Sequence, residues 1–479
     1  MAVLAFAPAY LVPLLATLVS IYAFTRILTP EQYGTYAFLV SVMLLCEGAL
    51  FAWIGLGTKR FFERAKRQGK LSVLYTTIYL ALGTSAVLLI LASAVTLELI
   101  AVQPPLKALL WISTAVIIVR QLSLLSKSLE LAALSRLRYV LMECGESLIG
   151  VGCGLYLCWR MHFTADGILY GMLAGATAVV LFDARHIVQR LRGGRFDSHL
   201  QREIINFAMP ITVALIVEYV VSSADRLMIQ FFLGADLLGI YAVGYGIADR
   251  AVGAVFLALA VGSYPLVVRA FERDGPRAAQ LQARQNIELM MAAVLPALGG
   301  FTIASGHIAA VLVGPAYAQG AAALMPLSGV AVFMYGLRSY YFAHAPHLAN
   351  NTWALLGASA PAAVINLGLN TALLPSIGLM GAVWARLIAY TVALAISVFQ
   401  AQRMFPLPFP GWEATKALLA TCVMSAVLYW LNFPKTFLGL SGMTLVGGAL
   451  YLTLAYCLNI VGLRHQLSIV LKRYRPALP

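Results

Sequence analysis

Five arginines fall inside long apolar segments of the sequence, where a charged side chain is costly. They are Arg120, Arg226, Arg250, Arg338 and Arg386. On membrane-insertion scales, each costs about 2.5–3.5 kcal/mol at the centre of a spanning helix, so most of them should face a cavity or a partner. A guanidinium group binds phosphate through two hydrogen bonds and keeps its charge. We therefore predict that these five residues line a cationic cavity for an anionic head group.

The acids of the same segments are candidates for ion coupling, because a buried carboxylate can carry a proton or hold Na⁺. The set comprises Glu218, Asp225, Asp249 and Glu47, and Glu143 and Glu146 lie in similar segments. Glu218 and Asp225 are seven positions apart and so share one helix face. The alternative is ion pairing, because Asp225 precedes Arg226 and Asp249 precedes Arg250. Since Arg226 favours the ionised form of Asp225, Glu218 is the better proton carrier.

The composition shows what must position these residues. Of 479 residues, 61% are hydrophobic and 11% are charged. That is too little charge to cover a soluble protein of this length, which excludes a soluble enzyme, a disordered scaffold and a nucleic-acid-binding domain. A spanning helix needs about 20 apolar residues. The sequence predicts an all-α polytopic membrane protein with about fourteen spans, near 6–27, 36–57, 71–97, 106–125, 139–159, 166–187, 205–232, 238–262, 287–313, 321–343, 352–374, 378–400, 414–432 and 438–461.

The basic residues predict the orientation of these spans. The chain has 33 Lys and Arg against 19 Asp and Glu, a net charge of +14. Most basic residues fall in the even-numbered connections and the C-terminal tail, whereas the odd-numbered ones hold Arg26, Lys107, Arg160 and Lys435. Short basic loops stay in the cytoplasm, so both termini are expected there. The basic excess mostly reflects topology, and no nucleic-acid partner is expected.

An internal repeat divides the predicted spans. Leu28-Thr-Pro-Glu-Gln-Tyr-Gly34-Thr-Tyr-Ala37 matches Leu233-Gly-Ala-Asp-Leu-Leu-Gly239-Ile-Tyr-Ala242 at an offset of 205, and Arg60-Phe-Phe-Glu-Arg64 matches Arg269-Ala-Phe-Glu-Arg273. Each repeat holds six spans, an even number, so the copies run parallel. We predict an N-lobe at 1–190, a C-lobe at 191–402, and a helix pair with a basic tail at 403–479. The acid and glycine of each first block are expected to cap and turn the outer connection.

The repeated block, Asn206-Phe-Ala-Met-Pro210 and Ser223-Ala-Asp225-Arg226-Leu resemble polysaccharide-transporter flippases. These belong to the multidrug/oligosaccharidyl-lipid/polysaccharide exporter superfamily, which includes the O-antigen flippases, and the resemblance covers residues 1–402. It implies two bundles that flip undecaprenyl-pyrophosphate-linked oligosaccharide, an O-antigen or exopolysaccharide precursor, by alternating access across the bacterial inner membrane. Partners would be the bilayer, this lipid-linked substrate and polysaccharide polymerase or assembly proteins.

Three alternatives stay open. One is a flippase for a lipid-linked peptidoglycan precursor, and another is a multidrug or cation antiporter of the same superfamily. A cavity for organic cations should be acidic and aromatic, whereas the cavity predicted for this chain is lined by five arginines. The third is a polytopic glycan polymerase or ligase, which generally needs a large loop or an Asp-x-Asp motif, and neither occurs in the sequence. We therefore expect a transporter rather than an enzyme, without a metal or another cofactor apart from a coupling H⁺ or Na⁺.

Overall fold

The computed structural model describes residues 7–99, 103–349, 351, 353–409 and 411–464. Apolar runs ended by Pro, Gly or charge form its helices. The first nine are α1 Ala7–Ile27, α2 Pro30–Leu50, α3 Ala52–Arg67, α4 Leu71–Leu99, α5 Pro104–Ala132, α6 Arg136–Arg160, α7 Ala165–Leu191, α8 Ser198–Leu233 and α9 Ala235–Ala248. The others are α10 Ala254–Asp274, α11 Pro276–Leu312, α12 Pro315–Leu337, α13 His344–Leu348, α14 Trp353–Ile377, α15 Leu379–Met404, α16 Gly411–Trp430 and α17 Phe437–Cys457. Two π-helical turns, Asp249–Gly253 and Arg338–Phe342, join α9 to α10 and follow α12.

The predicted all-α polytopic fold is confirmed. Within the described residues, 13 helical stretches are long and apolar enough to cross a membrane. The α9–α10 pair with its π turn forms one such stretch, Ala235–Asp274, and Pro315–Leu348 forms another. The remaining predicted span, 414–432, forms α16, which is 20 residues long but less apolar than the others.

The second predicted span, 36–57, differs from the structure. Helix α2 begins earlier, at Pro30, because Thr29 caps it and forms a reciprocal capping box with Gln32. It ends at Leu50, and Phe51 with φ −124° separates it from α3. Helix α3 is amphipathic: Phe61 and Phe62 are buried, while the basic residues of the Arg60–Arg64 block lie along its other side. The Arg60–Arg64 block therefore belongs to a helix separate from α2.

The repeated glycines do not turn the chain, contrary to expectation. Gly34 and Gly239 lie inside the first turns of α2 and α9, where both are buried. A Cβ atom on Gly34 would lie 1.8 Å from the carbonyl oxygen of Ala235, and one on Gly239 would lie 2.0 Å from that of Pro30. Glycine is required here because two helix backbones touch, so the absence of a side chain matters more than a positive φ.

The chain divides into two compact units, residues 1–242 and 243–479. In the first, α2–α5, α7 and α8 surround a core that includes Leu39, Met43, Leu74 and Val116. Helix α8 packs there against α2 and α3. In the second, α11 contacts α10, α12 and α16, and α14 pairs with α15. The predicted lobe limits, which follow the repeat, stay a prediction.

Candidate functional site

Glu47 on α2 and Arg120 on α5 form an ion pair in the first unit. Nη1 of Arg120 lies 3.0 Å from Oε1 of Glu47, and the side chains are 28% and 11% exposed, in the order Arg120 and Glu47. The structure thus joins one predicted cavity cation to one predicted coupling acid. Because their charges offset each other, Arg120 attracts an anion less than an isolated arginine would.

A cavity of about 290 Å³ lies beside this pair. Its polar lining comprises Glu47, Lys59, Gln121, Ser128 and Tyr219, and apolar side chains from the same helices complete it. Lys59 is exposed on α3. From the charge pattern of the sequence, Lys59 is one of the basic residues that orient the spans. Its position as the first cation after an apolar run is the sequence feature that could have indicated a cavity residue. Carboxylate, amide, phenol, hydroxyl and ammonium groups in one cavity can bind both sugar hydroxyls and phosphate.

Helix α8 carries three of the predicted residues. Asp225 is fully buried, and its Oδ2 accepts a hydrogen bond of 2.8 Å from the hydroxyl of Tyr241, the tyrosine of the second repeat block. Arg226 is partly buried, and its Nε is buried without a hydrogen-bond partner among the described residues. Glu218 is partly buried on the same helix. A buried guanidinium N–H without a partner is costly, so this position is prepared for an acceptor.

In the second unit, two predicted arginines meet neighbouring residues of α9. Arg386, on α15, is 1% exposed, and its guanidinium carbon lies 4.0 Å from the ring centroid of Tyr245. Nη1 of Arg250 donates to the carbonyl oxygen of Gly246 at 2.9 Å. A stacked, desolvated guanidinium is worth up to about 2 kcal/mol, which helps to offset the burial of Arg386.

Both π-helical turns contain predicted site residues, and such turns frequently occur at functional sites. Asp249 and Arg250 begin the first turn, and the side chain of Asp249 is exposed. Arg338 begins the second turn, is 6% exposed and donates from Nη2 to the hydroxyl oxygen of Ser359 at 2.5 Å. Arg338 and Arg386 are thus buried within the second unit.

A buried ion cluster holds α5, α6 and α7 together in the first unit. It comprises Glu130, Arg138, Asp183 and Arg190, hereafter the four-member cluster. Arg190 lies 2.5 Å from Glu130 and 2.7 Å from Asp183, and Arg138 lies 2.6 Å from Asp183. Asp183 is fully buried, and two acids balance two arginines. The balance of charge assigns this cluster a structural role.

We expect Asp183→Asn to lower the melting temperature of the purified protein strongly. Removing one partner of a buried ion pair costs about 3–5 kcal/mol, because the other charge stays buried. Glu98→Gln is the matched control, since Glu98 is 77% exposed and pairs with Lys107. Its melting temperature should stay close to that of the wild type, because solvent screens an exposed pair. Thermal unfolding in detergent measures both, and equal shifts would contradict the structural role.

A second cavity, of about 650 Å³, lies among α11, α16 and α17 in the second unit. Its lining is almost entirely apolar and includes small residues on α11 and α17, among them Ala297, Gly300 and Gly447. Residues without bulky side chains leave room between these helices. The cavity suits a hydrocarbon chain.

Residues 23–322, more than half of the chain, match the family described as polysaccharide biosynthesis protein. The chain belongs to the polysaccharide biosynthesis protein family. The resemblance inferred from the repeated block and the α8 motifs is thereby confirmed. The matched stretch includes the Glu47–Arg120 pair, the cavity beside it and the three residues on α8.

One sequence relative of this chain agrees with the family assignment. A probable low-salt glycan biosynthesis flippase of Haloferax volcanii is 22% identical over 295 residues, which is 60% of this chain and 60% of the relative. The chain thus matches about three fifths of that relative's length.

Solved structures confirm the fold of this family member. The lipid II flippase MurJ, in an inward closed conformation, aligns with a TM-score of 0.76 and 14% identity, covering 95% of this chain and 98% of MurJ. An inward-facing multidrug resistance MATE transporter of the MOP superfamily aligns with a TM-score of 0.66 and 12% identity, over 84% and 98%. With its many apolar helices, this protein is therefore a multi-pass membrane protein with the fold of that superfamily.

Proposed function

We propose that this protein is a flippase for undecaprenyl-pyrophosphate-linked oligosaccharides, and thus a transporter rather than an enzyme. It would act in the bacterial inner membrane with both termini in the cytoplasm, on O-antigen or exopolysaccharide precursors, and supply them to a polymerase or other assembly proteins. The family match over residues 23–322 carries the proposal. The relative from Haloferax volcanii, named as a probable glycan biosynthesis flippase, supports it.

The cavity of the first unit supports a head group that is both sugar and phosphate. Lys59 lines the cavity and supplies a cationic donor for the pyrophosphate, and Arg120, paired with Glu47 of the lining, adds positive charge beside it. Gln121 and Glu47 can pair with sugar hydroxyls, and the ring of Tyr219 offers an apolar face to a pyranose. Arg226 would contribute its unused donor, while Arg250, Arg338 and Arg386 stay proposed members of a cationic lining.

The apolar cavity of the second unit supports a place for the polyprenyl chain. Burying each CH₂ group of a lipid chain is worth about 0.8 kcal/mol, so a lining without charges is the appropriate one. Helices α16 and α17, which the repeat does not include, form much of this lining. The appended pair would therefore hold the lipid part of the substrate.

The contact between the two repeat copies supports alternating access. At the offset of 205, Pro30 corresponds to Ala235 and Gly34 to Gly239. Gly34 approaches Ala235, and Gly239 approaches Pro30, so the contact is reciprocal within the repeat. Such reciprocity is what a pseudo-twofold axis between the two helices produces. No side-chain ion pair is part of this contact as described, so the two backbones can separate at small cost in free energy. We propose that the contact closes the outer end of the cavity of the first unit and opens during transport.

Ion coupling is the remaining part of the proposal. Glu47 and Asp225 are held by Arg120 and Tyr241, whereas the side chain of Asp249 is exposed. With the partly buried Glu218, these acids stay the proposed residues for H⁺ or Na⁺.

Reconstitution of the full chain tests the proposal. Proteoliposomes would contain undecaprenyl-pyrophosphate oligosaccharide with a fluorescent sugar, and an external glycosidase would report the molecules that reach the outer leaflet. We expect a second cleavage phase that protein-free liposomes lack. Cleavage no faster than in empty liposomes contradicts the proposal. A protein that instead moves a muropeptide-bearing lipid or an organic cation would perform one of the alternative functions.

A further inference from the structure

One face of α5 carries a row of polar residues at helical spacing. Arg120, Ser123, Lys127 and Glu130 are three, four and three positions apart and so lie on one side of the helix. At 1.5 Å per residue, the row extends about 15 Å along the axis. Partners from α2, α6 and α7 meet it, so it links the cavity to the four-member cluster.

Lys127 is the centre of this row. Its Nζ lies 2.9 Å from Oε2 of Glu143 and 3.0 Å from Oε2 of Glu146, and its side chain is 7% exposed. The hydroxyl of Ser123 also donates to Oε2 of Glu146, at 2.5 Å. Two carboxylates on α6 therefore share one ammonium group from α5, unlike the four-member cluster, in which acids and bases are equal in number.

The group contains one carboxylate more than it has ammonium groups. With all three residues ionised, the group holds one uncompensated negative charge within a membrane-spanning segment, which is unfavourable. Protonation of one acid makes the group neutral. The hydroxyl of Ser123 already donates to Glu146, which leaves Glu143 as the acid that we assign to receive the proton. Glu143 is also the more accessible acid, with 25% of its side chain exposed against 18% for Glu146.

The elements packed around Glu143 and Glu146 present several charged or titratable groups. They are Tyr10 on α1, Arg120 and Glu130 on α5, Arg138, Tyr139 and Cys144 on α6, and Asp183 and Arg190 on α7, and Glu47 on α2 also lies near Glu146. The arginines among them have carboxylate partners of their own. The positive charge that directly contacts the two acids is therefore that of Lys127.

We propose that Glu143 and Glu146, held by Lys127 and Ser123, form a proton-binding site that couples flipping to the transmembrane proton gradient. This inference rests on the proposed flippase function. A hydronium ion gives one proton to the carboxylate of Glu143 and leaves as water. The neutral carboxyl group then loosens its hold on Lys127, which stays with Glu146. Release of the proton to the opposite side restores the ion pair.

The first test is flipping in proteoliposomes with and without an imposed pH difference. One coupled proton allows up to about a tenfold stimulation of the wild-type rate per pH unit. We expect Glu143→Gln, which fixes the neutral form, to flip at the same rate with and without the gradient. Glu143→Asp should keep the stimulation, because it keeps the carboxyl group. Glu98→Gln, an exposed ion pair away from the site, should behave as wild type. Wild-type stimulation in Glu143→Gln would overturn the proposal.

The second test needs no lipid substrate, so it separates failure of this site from failure of the flippase function. Infrared difference spectra of the purified full chain, taken across a pH titration, report the carbonyl band of a protonated carboxyl group. We expect this band in the wild type and in Glu143→Asp, and its loss in Glu143→Gln. A band that persists unchanged in Glu143→Gln places the proton elsewhere and overturns the assignment. A folded Glu146→Gln variant should also lose the band, because one carboxylate then balances Lys127, and a band that persists there would contradict the role of the excess carboxylate.

Discussion

Gly34→Val is expected to lower the flipping rate strongly while the protein still accumulates in the membrane. A Cβ atom at this position would lie 1.8 Å from the carbonyl oxygen of Ala235 and 2.8 Å from the nitrogen of Gly239, and neither backbone can yield without moving a helix. The closed contact between α2 and α9 would therefore be destabilised. A shift of about 1.4 kcal/mol changes the population of the closed state tenfold. We expect the flipping rate to fall to about a tenth or less.

Labelling of a cysteine reporter distinguishes an opened contact from general damage. In a background without the native cysteines, Ala235→Cys should react slowly with a membrane-impermeant maleimide. We expect Gly34→Val to increase that rate about tenfold, in line with the shifted population. Gly239→Val should have the same effect, and the double variant should add little, because both changes break one contact.

Gly83→Val is the matched control for this prediction. Gly83 lies exposed in α4, and an added Cβ would meet no atom within 4 Å. Its flipping rate and labelling should equal those of the parent. A normal flipping rate in Gly34→Val, or equal losses in Gly34→Val and Gly83→Val, would show that the close contact has no role in transport.

The same glycines show how far the sequence predicts this fold. The offset of 205 makes Gly34 and Gly239 equivalent, but a repeat alone does not say that its copies touch. Hydropathy predicts the spans because a membrane imposes their length and apolarity. It does not predict the break at Phe51, because α3 continues directly from α2 with no Pro or Gly between them.

The sequence does not predict which side chains of distant helices pair with each other in the site. Glu47 and Arg120 are both candidates from the sequence, yet they are 73 positions apart, and nothing local indicates that they meet. The sequence pattern groups Lys127 with the loop charges, although it is buried between two carboxylates in α5. A charged residue near the end of a span can either orient the chain in the membrane or take part in a functional site. Only the residues that it contacts show which role it has.

Arg226→Gln is expected to lower flipping per molecule about 10- to 100-fold, which is the effect of removing one charge-assisted hydrogen bond to an anionic ligand. The Nε of Arg226 is buried without a partner among the described residues, so its donor is available to a substrate phosphate. For the same reason, the folded protein should keep nearly all of its stability when the charge is removed. Arg226→Lys keeps the charge but not the two-pronged geometry and should recover only part of the rate.

Arg338→Gln is the comparison variant, because it shows how flipping responds when a structural arginine is removed. The Arg338 side chain is 6% exposed and donates to Ser359, so its removal should lower the melting temperature and the amount of protein. Flipping rates are therefore divided by the amount of folded protein, measured by size-exclusion chromatography. A wild-type rate per molecule in Arg226→Gln would remove this residue from the cationic lining. If the flipping rate and the melting temperature of Arg226→Gln fall together, Arg226 stabilises the fold. Removing a group that only binds the ligand would leave the folded state intact.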